Sequence, residues 1–135
     1  ASKVDIYILR QYYAPKKSIK ELVSVGEWGC KDGLDELMLS YGDMLWRSFY
    51  AASLSPSYLN RQPYGFLLRE HRLFLVQTAD APTDPHDGAL DLGIVLLHFS
   101  AVAAHWMGQP KWTFAIGTEN IHLPEGCRVV ASCTI

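Results

Sequence analysis

From Ala89 to Met107 the chain is almost unbroken apolar sequence, interrupted by one carboxylate, Asp91, and by His98 and His105. Gly108 and Pro110 follow, in the order that ends a helix. A run of this length is about what a bilayer crossing needs. The acid and the imidazoles inside it argue against lipid, where such groups are costly. The simpler reading is one long helix, apolar on nearly all sides and buried at the centre of a domain. The rest of the 135-residue chain then has to supply what covers it, and a chain of this length makes one compact domain, 1–135.

The rest of the sequence offers both kinds of cover. Ser18, followed three residues on by Glu21, has the spacing of a capping box and starts a short helix over Ser18–Val23. Gly26, Gly29 and Gly33 mark a loop carrying Trp28 and Cys30. Leu34 to Leu54 repeats apolar residues at helical spacing, with Gly42 splitting it and Asp43 placed to cap the second piece. Pro56 requires that helix to stop. Tyr64 to Thr78 reads as a β-hairpin turning at Glu70-His71. Val4–Leu9, Lys111–Gly117 and Arg128–Thr134 read as strands, and Ala79–Gly88 as a loop. Helices mixed with hairpin-like strands, without regular βαβ alternation, predict an α+β fold.

Composition excludes several functions. A net charge of −2 with no basic stripe gives no footprint for nucleic acid. Three cysteines, odd in number and lacking a Cys-x-x-Cys pair, do not make a disulfide framework or a thiolate zinc site. They read as reduced thiols of a cytoplasmic protein, with Cys133 in the core. His98 and His105 are spaced wider than the usual helical metal pairs and read as core histidines. Trp106 and Trp112 read as core. The acidic stretch from Asp80 to Asp91 lacks the alternation of a calcium loop.

The segment with chemical promise is Ser55-Pro56-Ser57-Tyr58-Leu59-Asn60-Arg61-Gln62-Pro63-Tyr64. It joins a helix end to a strand and is pinned by two prolines. Ser55, Ser57, Asn60 and Gln62 can each donate and accept hydrogen bonds, which suits a neutral, polar, planar or polyol-bearing ligand. Read from residues alone, it also serves as an ordinary helix stop, with Asn60 capping the next turn. No nucleophile–base pair stands out.

These residues resemble the motif of the FMN-dependent nitroreductase family, Ala/Ser-Pro-Ser-x-x-Asn-x-Gln-Pro-Trp followed by an aromatic; here Tyr64 replaces the Trp and Phe66 follows. Asp91-Leu92-Gly93, His98-Phe99 and Ala103-Ala104 are similar to that family's long central helix, in a tandem-type branch where the motif falls in the second half of the chain. The resemblance runs from about Leu34 to Trp112. It implies a nitroreductase-like α/β sandwich, with FMN held by Pro56, Ser57 and Asn60, and by Ser55 and Gln62 as second choices. It implies electron transfer from NAD(P)H through FMN to a nitroaromatic, quinone or similar small-molecule acceptor.

The family's Arg-x-Ser-x-Arg stretch, which grips the FMN phosphate, has no match here. Neither Arg47-Ser48 nor Arg10-Gln11 fits it. The expectation is therefore an incomplete C-terminal half, inactive alone, which pairs with a missing N-terminal half or with a second copy as a homodimer. The absent initiator Met and the apolar finish Val129–Ile135 agree with cut ends. The competing expectation is a non-enzymatic α+β module that keeps the scaffold and has lost flavin binding.

Overall fold

The computed structural model describes residues 17–55, 62–78, 85–114 and 121–135, with 85–91 as backbone only. Helix α1 is Ile19–Leu22 and β1 is Val23–Val25. Helices α2, Leu34–Tyr41, and α3, Asp43–Ser53, follow. The hairpin strands are β2, Tyr64–Arg69, and β3, Arg72–Gln77. The long helix α4 is Pro85–Ala103, and β4, Thr113–Phe114, and β5, Arg128–Thr134, complete the order. The fold is mixed α+β, and its sheet has the order β1-β2-β3-β5-β4.

Local chemistry explains most of these elements. The capping box forms: the Glu21 N–H donates to Ser18 Oγ, and the Ser18 N–H donates to Glu21 Oε1 at 3.2 Å. The helix stops at Leu22, one residue short of the expected end, because Val23 turns extended and pairs with Phe66. Gly42, at φ 72°, breaks α2 from α3 in a backbone conformation that side chains resist. Gly42 itself is the N-cap of α3, so Asp43 is the first helical residue and not the cap.

The hairpin forms in the register Tyr64↔Gln77 to Arg69↔Arg72, leaving a two-residue turn. Glu70 and His71 both have positive φ, 49° and 67°, as a type I′ turn requires. β3 pairs with β5 through a bulge at Val130, between the pairs Leu75↔Ala131 and Val76↔Val129. β1 lies parallel to β2, joined through α2 and α3. Beside the antiparallel pairs of the other strands, this parallel pair makes no regular βαβ alternation among the described residues.

One sheet face packs on the helices. Phe66, Leu68, Leu73, Leu75 and Ala131 meet Leu45, Phe49 and Ala52 of α3 and Leu92, Val95, Phe99 and Ala103 of α4. The rings of Phe49, Phe66 and Phe99 lie 5.2–5.7 Å apart at its centre. Truncating one of them to Ala would cost about 3–5 kcal/mol. The opposite sheet face also carries buried Leu67, Phe74 and Val76.

Several expectations need correction. α4 starts at Pro85, inside the stretch read as loop, because proline suits the first turn of a helix. It ends at Ala103, before Met107. It is not buried all round: Leu97 is 67% exposed, and Gly93 and Ala101 are exposed beside it. His98 is half-buried, and His105 is exposed in the turn beyond the helix, so neither is a core histidine. Trp106 and Trp112 are half-buried and packed on the core, their indole N–H groups donating to Ser48 Oγ at 3.1 Å and Ser100 Oγ at 2.9 Å. Cys133 lies in the core as expected, and burial pushes its thiol up to about 12. The expected strand at Val4–Leu9 and the acidic stretch 80–84 lie outside the described residues. No helix among the described residues is long and apolar enough to cross a membrane.

Candidate functional site

The Ser55–Tyr64 segment leaves the C-terminus of α3 and enters the first residue of β2. Of its five candidate residues, Pro56, Ser57 and Asn60 lie outside the described residues. Ser55 and Gln62 are described, and both are buried.

Ser55 is 0% exposed, its N–H donating to Ala52 O at 3.0 Å as part of the helix stop. Gln62 is 1% exposed. Its Oε1 accepts from the Lys17 N–H at 2.6 Å, and its Nε2 donates to Ser53 O at 2.8 Å. The Lys17 Nζ donates to the Gln62 carbonyl at 3.0 Å. The Tyr64 hydroxyl donates to Ala52 O at 2.9 Å, closing the same junction. The backbone of Gln62 stands at φ 48°, a left-handed conformation uncommon for glutamine. The amide therefore fastens the entry to α1, the end of α3 and the start of β2 together. The motif residues Ser55 and Gln62 thus come together at the two roots of the segment and face inward.

Beside these roots lies an open cavity of about 470 Å³, lined by Lys17, Lys20, Ile19, Trp46, Tyr50 and Leu54 among others. Trp46 and Tyr50, one helical turn apart on α3, stack with centroids 5.0 Å apart and planes within 9°. Each is 46% exposed. An exposed stacked pair is unusual for aromatic rings that could have been buried. Among the described residues no carboxylate lines this cavity, while two ammonium groups do. A second cavity of about 350 Å³ opens on the other side of Trp46, between α1 and α2. The sequence reading passed over Lys17, Lys20, Trp46 and Tyr50. The available signal was Trp46 and Tyr50 at i, i+4 on the polar side of the α3 stripe.

Among the described residues, no group of three His, Cys, Asp or Glu side chains is placed to hold a metal ion.

The fold is similar to that of a Thermotoga maritima protein, provisionally assigned as a nitroreductase, whose crystal structure is known at 2.00 Å. The TM-score is 0.56 at 17% identity, over 91% of this chain and 43% of that one. At that identity the likeness shows a nitroreductase-like fold and nothing finer. This chain spans less than half the length of that protein. No protein-family model matches the chain, and no curated protein matches it.

Proposed function

We propose that the chain is part of an FMN-dependent oxidoreductase of the nitroreductase type, moving electrons from NAD(P)H to a nitroaromatic, quinone or similar acceptor. One positional observation carries this reading. The segment that holds the family-like motif is rooted beside the cavity of Lys17, Lys20, Trp46 and Tyr50. That donor set fits the cofactor. A half-exposed indole–phenol pair offers ring faces to a planar heterocycle, and two ammonium groups offer charge to a phosphate. FMN, when bound, supplies the two-electron chemistry.

This chain's residues would do the holding. Pro56, Ser57 and Asn60 would stand against the isoalloxazine or ribityl part. Ser55 and Gln62 would fix the two ends of the segment from behind, so that its groups meet the ligand already ordered. A second copy of the chain, or an N-terminal half in a longer protein, would supply the other wall.

The test is a visible absorption spectrum of the purified chain after adding FMN and desalting. Retained flavin absorption that falls in a W46A/Y50A variant supports the reading. Equal retention in that variant removes the cavity from the site. A second reading follows from the burial of Ser55 and Gln62 and the internal use of the Gln62 amide. In it the segment is structural and the chain is a binding module without flavin. That reading expects no flavin retained by this chain or by a longer parent.

A further inference from the structure

We draw no further inference here: the strongest candidate, the outward face of α4, where Gly93, Leu97 and Ala101 stand exposed one helical turn apart, carries nothing because nothing in the structure shows what covers it.

Discussion

The side-chain carbonyl of Gln62 accepts the backbone N–H of Lys17 at 2.6 Å, across 45 residues of sequence. The amide's other end donates to Ser53 O, so one buried side chain joins three separate stretches of chain. A residue that reads in sequence as a ligand contact therefore has a structural task of its own.

Gln62→Ala should lower stability by about 2–3 kcal/mol, because the Lys17 N–H and the Ser53 carbonyl lose a partner inside the protein. Gln62→Gly removes the same amide but relieves the backbone at φ 48°. It should be more stable than Gln62→Ala by about 1 kcal/mol. Urea unfolding of the two variants checks both values, and the reverse order would mean the backbone there is unstrained.

Gly65→Ala should be destabilising by about 1–3 kcal/mol. A Cβ at this position would collide with the Trp28 ring and come within 3.1 Å of the Leu22 carbonyl. In a Trp28→Ala background part of that cost should vanish, since the ring is one of the two obstacles. A double-mutant cycle reads the coupling, and near-ultraviolet circular dichroism reads the displacement of Trp28.

Glu70→Asn should raise stability by about 0.5–1 kcal/mol, since asparagine adopts the left-handed position at φ 49° with less strain. Thermal melting of both proteins checks the sign, and a lower melting temperature in the variant would contradict it.

The hydrogen bonds from Ser18 hold the Glu21 carboxyl below its ordinary value of 4.5. A folded-state value below the unfolded one stabilises the protein at pH above 4.5. That stabilisation is lost as pH falls through the lowered folded value. Glu21→Gln should therefore melt below the parent at neutral pH, with the gap closing under acid conditions. A melting series from pH 7 to pH 2, run on both proteins, checks the trend. A gap that widens in acid would contradict it.

Much of the fold was legible because its causes are local. The capping box at Ser18 and Glu21, the break at Gly42 and the Glu70-His71 turn all rest on contacts within a few residues. Periodicity also placed Leu45 and Phe49 on a helix face that became part of the core. It misjudged α4, since an apolar outward residue such as Leu97 carries no sign of whether anything covers it. The Ser55–Tyr64 segment was visible as a dense polar stretch, yet its sequence could not show that Ser55 and Gln62 face inward.

What the sequence alone determined is most of the elements, β1 and the start of α4 excepted, and the residues able to be buried, because helix caps, turns and hydrophobic spacing act over short range. What only the tertiary structure decided is partnership. The parallel pairing of β1 with β2, the reach of Gln62 to Lys17, the meeting of Tyr41 with His71 and the cavity between Lys17 and Tyr50 all join residues distant in sequence. Such contacts depend on how whole elements pack, and no local propensity encodes them.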